Sequence, residues 1–383
     1  MIFITHFFSP EIGAASHRIS NLAMRMIKDD EKLFVITTTP SYKLEEKINY
    51  YESKEKLKII RFPVFHNNSK NIILRLITML SFSFYLILLI PVIIFLKDKR
   101  VFIQGHPLIS SFFSILIFKK IFSKKIILNV SDLWPKSGLE LGVFKKGYFY
   151  SMLKIIERFN YKNSDLIITQ SEESKSYISK IFPKKNINVF YNVPRSNFHE
   201  KTLNKNANLN LIYAGLLGHA QNLLETCKMI DFDNSNIIFK IYGEGSQKKE
   251  IINYIKENNI SNIKINDFIT RESLNRTLME SDIGLVQLKK KIHGALPSKL
   301  FHYLNYNLPI LYIGEGEAAD IIKDNSYGWT FKNNDYDGVN KLINNLNTDR
   351  APLSICMTNI KNNFKLKFNY DLQYQNFSSK IKL

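Results

Sequence analysis
Short apolar runs of strand length alternate with helix-length stretches twice along the chain, and this rhythm constrains the fold more tightly than any other feature. In the first half the runs are MIFIT, KLFVITTT, LKIIRFPV, RVFIQ, KKIILNV and DLIITQ; in the second they are LNLIYAG, NIIFKIYG, IKINDF, DIGLVQL, LPILYIG and GWTF. Strands joined through helices lie parallel, since each crossover carries the chain back to the edge it left, and the helices then cover both faces of the sheet. The rhythm breaks once, over 194–208, where the chain turns polar and poor in apolar residues. At 383 residues the chain is also longer than one core normally spans, about 250 to 300 residues. These features predict an α/β protein of two tandem Rossmann-like, doubly wound domains, over 1–193 and 209–365, with 194–208 as the linker.

One segment of the first domain stands apart. Residues 76–96, LITMLSFSFYLILLIPVIIFL, carry no charge and would be long enough to span a bilayer. A membrane-spanning helix there would split the first domain, and a wholly buried one would not need to be so apolar. The reading that accounts for both is an apolar helix over 71–97 whose outer face dips into a membrane. The charge balance points the same way. The 53 Lys and Arg exceed the 34 Asp and Glu by 19, and clusters such as Lys97, Lys99 and Arg100, Lys119 and Lys120, Lys124 and Lys125, and Lys145 and Lys146 flank apolar segments. Each lysine near an anionic leaflet contributes on the order of 1 kcal/mol. No nucleic-acid motif accompanies the charge, so nucleic acid is not an expected partner. Two cysteines, Cys227 and Cys356, make no disulfide framework and fit a reducing compartment. The chain opens directly on a strand-like run, so no export leader is expected.

Ligands of doubly wound sheets bind at the carboxyl ends of the strands, and the loops there hold the candidate residues. After MIFIT, Gly13, Ala14 and Ala15 precede a helix, and small residues let an anion approach backbone N–H groups. Gly215 and Gly218 follow LNLIYA, and Gly243 and Gly245 follow NIIFKIY. In LPSKLFHYL a helix opens at Pro297, Ser298 and Lys299. A lysine in a first helical turn opposes the helix dipole, which marks Lys299 for an anionic ligand. No metal is expected: the two D-x-D triplets, Asp231/Asp233 and Asp335/Asp337, sit in polar loops, and the histidines lack zinc spacings.

The segments FFSPEIGAASHRI, LSFSFYLILL, SDLWPKSGLELG, GLLGHAQNL, YGEGSQKKEI and LPSKLFHYLNYNLPILYIGEGEAADI, in that order across the chain, resemble the family-4 glycosyltransferases of the GT-B fold. The resemblance is closest to bacterial enzymes of O-antigen, capsule and colanic acid assembly, in the fucosaminyltransferase-like branch. It implies an interdomain cleft, a closing helix over 366–383 that returns to the first domain, and retaining transfer of a sugar from a UDP-sugar donor. The implied acceptor is a glycan on undecaprenyl diphosphate, met at the cytoplasmic face of the cell membrane, with no cofactor beyond the donor substrate. Lys299 with Gly13 and Gly215 would neutralise the donor diphosphate, Glu317 would accept from sugar hydroxyls, and Asp132 would orient the acceptor or take its proton. The chain departs from the family where two glutamates with seven residues between them are usual, having Gly294 and His302 instead, and His219 and Gln221 replace the usual basic pair. A nucleotide-sugar 2-epimerase of the same fold, or a non-catalytic assembly partner, are the alternatives.

Overall fold
The computed structural model describes residues 1–11, 13–40, 48–64, 72–203, 208–232 and 236–382. The chain divides into two compact units: Met1–Asn192 with the last helix from Leu372 onward, and Val193–Asp371.

The first unit contains strands β1 (Ile2–Ile4), β2 (Leu33–Thr38), β3 (Tyr51–Lys54), β4 (Leu57–Phe62), β5 (Arg100–Gln104), β6 (Lys125–Val130), β7 (Leu166–Thr169) and β8 (Ile187–Val189). Its helices are α1 (Ala14–Lys28), α2 (Ile72–Leu88), α3 (Ile90–Ile93), α4 (Leu108–Ile115, continued by a π-helical turn Leu116–Ile121), α5 (Lys136–Glu140), α6 (Tyr148–Asn163) and α7 (Glu172–Ile181). The sheet order is β3-β4-β2-β1-β5-β6-β7-β8, and every pair is parallel except β3 with β4. Buried strands such as Leu166–Thr169 read as unbroken apolar runs because helices cover both faces. Two strands escape the sequence pattern. Strand β3 is a polar, mostly exposed edge strand with no apolar alternation, and β8 is only 3 residues long.

The uncharged run 76–96 is not one long helix, which corrects the single helix expected over 71–97. Helix α2 ends at Leu88 and α3 is a separate turn with Pro91 at its start. Proline lacks the N–H that a continuing helix needs, and its ring crowds the carbonyl four residues back. Among the described residues no helix is long and apolar enough to cross a membrane. On α2, Phe82 and Leu86 are buried in the core, whereas Leu80, Phe84, Ile87 and Leu88 stay between 44% and 59% exposed.

The second unit contains β9 (Leu209–Ala214), β10 (Ile237–Tyr242), β11 (Ile263–Asn266), β12 (Ile283–Gln287), β13 (Ile310–Ile313) and β14 (Gly328–Phe331). They form one parallel sheet of order β11-β10-β9-β12-β13-β14, one strand from each apolar run of the second half. Helices α8 (Leu223–Met229), α9 (Lys248–Glu257), α10 (Arg271–Glu280), α11 (Ser298–Leu304), α12 (Glu317–Asp324), α13 (Tyr336–Thr348) and α14 (Ala351–Lys367) pack around it, and α15 (Tyr370–Lys382) closes the described chain. Residues 194–203, read from composition as linker, are fastened to this unit. The Asn305 side chain donates to Ser196 Oγ (3.1 Å) and to the Asn197 carbonyl (3.0 Å), and the His199 N–H donates to the Asn305 carbonyl (2.9 Å). Polarity here serves hydrogen bonds to the unit's own surface. The last helix is counted with the first unit, where Phe377 is fully buried beside Phe190, the Arg25 guanidinium lies 4.4 Å over the Tyr374 ring, and Gln373 accepts from the Tyr191 N–H.

Candidate active site
In the second sheet the strand order reverses between β9 and β12, and a doubly wound sheet opens its binding crevice at the carboxyl ends of such a pair. Gly215 sits immediately beyond β9, with φ of 144°, a backbone that disfavours side chains. Lys299, in the first turn of α11, lies against it. A Cβ on Gly215 would come within 2.5 Å of Lys299 Cε and 2.6 Å of Nζ. The ammonium is 4.7 Å from the centre of the Tyr213 ring, and no carboxylate pairs with it among the described residues. Burial lowers the Lys299 pKa from its usual 10.5 to about 8. A partly desolvated cation held at a switch point beside bare backbone has the chemistry to take an anion.

Tyr303 sets this geometry. One turn after Lys299, its ring covers Gly284 on β12, where a Cβ would stand 2.4 Å away, and its hydroxyl accepts the Ala214 N–H at 2.9 Å. Helix α11 is thereby clamped onto β9 and β12, and Lys299 is delivered to Gly215. In Tyr303→Phe the Ala214 N–H loses its acceptor; urea unfolding is expected to show a loss of about 1–2 kcal/mol.

The other glycines divide by role. Cβ atoms on Gly243 and Gly245 would lie 1.8 Å from the Gly215 carbonyl oxygen and 2.3 Å from that of Leu217, so the loop after β10 backs the Gly215 loop directly. Hydrogen bonds from Gly215 N–H to the Tyr242 carbonyl and from Leu217 N–H to the Glu244 carbonyl, both 2.8 Å, join the two. Gly243 and Gly245 thus lie behind Gly215 and support its loop. Gly218 carries Gln221 against it, and the Gln221 Oε1 is buried without a hydrogen bond. His219 is exposed, as is Ser298 at the start of α11. His302 is half-buried and lies edge-on to Tyr306, whose ring stacks on His199 at 4.3 Å. Glu317 opens α12 directly after Gly314 and Gly316, at the carboxyl end of β13, the neighbour of β12.

The first sheet has its own switch point, between β1 and β5. Thr5 Oγ1 donates to Gln104 Oε1 across it, and His6 Nε2 lies 2.9 Å from Ser110 Oγ. Gly13 caps α1 with φ of 144°, and among the described residues beyond its chain neighbours a Cβ there would meet nothing within 4 Å. Beyond β6, Asp132 is exposed, and the Arg18 Nη2 donates to Ser131 Oγ at 2.5 Å. Burial lowers the Arg18 pKa to about 10, and the nearby Asp132 opposes that shift. Burial also lowers the pKa of His106, against the opposing pull of Asp132; its ring lies 5.3 Å from that of Trp134. Arg18, His106 and Asp132 thus share one locality. The strand-end rule that marks Asp132 applies equally to His106, in QGHP after β5. Tyr213 and Tyr303 had no signal beyond apolarity. Among the described residues no group of three or more His, Cys, Asp or Glu could hold a metal, and Asp233 lies outside them.

The two sheets are those of the GT-B glycosyltransferase fold. Residues 194–364, most of the second unit, match the family described as "Glycosyl transferases group 1". A curated relative, "Amylovoran biosynthesis glycosyltransferase AmsD" of Erwinia amylovora, is 23% identical over 197 residues, 49% of this chain and 54% of the relative. The chain thus spans about half the length of the curated relative it matches. Among solved structures, WaaG, a glycosyltransferase involved in lipopolysaccharide biosynthesis, superposes with a TM-score of 0.67 at 11% identity, covering 99% of each chain. An E. coli structure described as trehalose-6-phosphate bound with UDP-2-fluoro glucose gives 0.71 at 11% identity, covering 100% of this chain and 98% of that one.

Proposed function
We propose that the protein is a retaining glycosyltransferase that moves a sugar from a UDP-sugar to a lipid-diphosphate-linked glycan in bacterial surface polysaccharide synthesis, working peripherally at the inner face of the cell membrane. The observation that carries this reading is Lys299, a cation with no carboxylate partner among the described residues, lodged against Gly215 at the second switch point. As the bond from the sugar C1 to the diphosphate breaks, negative charge grows on the departing oxygen, and a fixed cation there lowers the barrier. Glu317 would accept from donor sugar hydroxyls. The acceptor oxygen bonds to C1 on the face the diphosphate leaves, its proton passing to the leaving group, with Asp132 orienting the acceptor hydroxyl. The amylovoran relative supports a polysaccharide acceptor, the UDP-2-fluoro glucose complex supports a UDP donor, and the exposed apolar row on α2 supports the membrane location.

The test is binding and product analysis. UDP-sugars should raise the thermal midpoint, and NMR of the product of a lipid-diphosphate acceptor should show the donor's anomeric configuration retained; no stabilisation and no transfer across a panel of nucleotide sugars would refute the reading. The binding should also fall with pH in a defined window. A lysine whose folded pKa is depressed to about 8 is charged below that value and loses its charge above it. UDP affinity measured by calorimetry is therefore expected to be flat to about pH 7 and to weaken as pH rises through 8. Unfolding stability without ligand runs the other way: the unfolded chain holds this proton up to 10.5, so stability rises between about 8 and 10.5.

A further inference from the structure
We propose that the amino-terminal edge of strands β5 to β8 in the first sheet is a docking surface for a bilayer leaflet rich in anionic phospholipid. These four strands are adjacent and parallel, so the segments that enter them lie side by side on one edge, opposite the edge with Gly13 and Asp132. The adjacency is direct: the Lys125 N–H donates to the Lys99 carbonyl, the Asp165 N–H to the Ile126 carbonyl, and the Ile167 N–H to the Asn186 carbonyl. The entering segments, 94–100, 119–125, 158–165 and 180–186, hold twelve Lys and Arg and two Asp, so ten of the chain's nineteen net positive charges lie on this edge.

Some of these cations serve the fold. Lys124 is buried and donates to the Leu96 and Asp98 carbonyls, Lys119 pairs with Asp165, and Arg100 pairs with Glu31. Lys97, Lys99 and Lys120 at β5 and β6 are exposed and pair with no carboxylate among the described residues. The same holds at β7 and β8 for Lys162, Lys180 and Lys184. A concentration of unneutralised charge this dense calls for an anionic partner.

The partner's chemistry follows from what stands among the cations. Phe95 is 81% exposed, Ile94 64% and Ile121 56%, all within or beside the lysine clusters. Nucleic acid offers nothing to cover such side chains, whereas an interfacial leaflet takes apolar residues below the headgroups and cations among them. Helix α2 connects the carboxyl end of β4 to the amino end of β5, so its exposed row of Leu80, Phe84, Ile87 and Leu88 runs down to this edge and is continuous with Val92 and Phe95. The inference rests on the membrane reading above but not on the transfer chemistry.

Full-length protein would be sedimented with phosphatidylcholine vesicles, with and without one-third phosphatidylglycerol, and with salt varied. Wild type should bind only the anionic vesicles and should release as salt rises. The triples Lys97→Gln/Lys99→Gln/Lys120→Gln and Lys162→Gln/Lys180→Gln/Lys184→Gln should each weaken binding by about 100-fold, at roughly fivefold per lysine, and Phe95→Ser should weaken it by about tenfold. Lys145→Gln/Lys146→Gln, on the opposite edge, should leave binding unchanged. Wild-type binding by both triples, equal loss in the Lys145/Lys146 control, or tighter binding to a DNA duplex than to anionic vesicles would each overturn the proposal. Thermal stabilisation by UDP, read on the same samples, separates the outcomes: vesicle binding without UDP stabilisation leaves this surface standing and removes the transferase reading, whereas UDP stabilisation without any vesicle binding removes this surface and the membrane location and leaves the transferase reading.

Discussion
Lys299→Ala is expected to lower sugar transfer by about 10²–10³-fold, the usual cost of removing one preorganised charge donor at a leaving group. UDP affinity should fall with it, since the ground-state diphosphate and the departing one meet the same ammonium. Circular dichroism and urea unfolding should stay near wild type, or improve, because Lys299 is a partly desolvated cation whose desolvation costs the fold something in the absence of ligand. Lys299→Arg should not rescue activity. The Tyr213 ring lies 4.7 Å from the ammonium, and a Cβ on Gly215 would already come within 2.6 Å of it, so a planar guanidinium meets ring and backbone before it reaches the ammonium position. Steady-state kinetics of the two variants, beside calorimetric UDP titration, would check this; turnover within tenfold of wild type in Lys299→Ala would rule out the assigned role.

The largest stability loss is expected at Gly243. A Cβ there would lie 1.8 Å from the Gly215 carbonyl oxygen, and the φ of 149° is itself costly for any other residue. Backbone cannot move aside as a flexible side chain can, so Gly243→Ala must separate the loops after β9 and β10. A loss of about 3 kcal/mol is expected, at the high end for point substitutions, which lowers the calorimetric midpoint by roughly 6–12 °C. UDP binding should be lost along with it, because the Gly215 loop is displaced. Gly13→Ala makes the contrast: its φ of 144° is equally positive, but among the described residues beyond its chain neighbours no atom lies within 4 Å of the added Cβ, so backbone strain dominates.

Much of the fold is legible in local pattern. The central strands of the second sheet, β9, β12 and β13, are buried almost throughout and read as mainly apolar runs, as parallel strands covered on both faces do. Strands β3 and β8 of the first sheet fail that condition: β3 is polar and mostly exposed, and β8 is half-buried at both ends with Asn188 between. The run 76–96 shows the limit from the other side. Its apolarity is plain, and Pro91 breaks the helix, yet which residues face the core and which face out depends on how α2 packs against its neighbours.

The candidate site was legible only where a residue type was conspicuous in its local setting. Lys299 in a first helical turn and the glycines after β9 and β10 are of that kind. The roles of Gly243 and Gly245 as backing, and of Tyr303 as the clamp on α11, were not, because each depends on an atom from a segment tens of residues away. Arg18, His106 and Asp132 likewise meet through strand order. The same holds for the lysines: composition counted the excess charge, and the parallel order β5-β6-β7-β8 gathers ten of its nineteen units on one edge.

By itself the sequence determined the alternation of strands and helices, hence two parallel sheets and the loops where ligands bind, because burial of each element is written in its own residues. Which loops become neighbours, which glycine must stay bare and which lysines stand together were decided by tertiary structure alone, because those contacts join distant segments through a strand order that no local periodicity encodes.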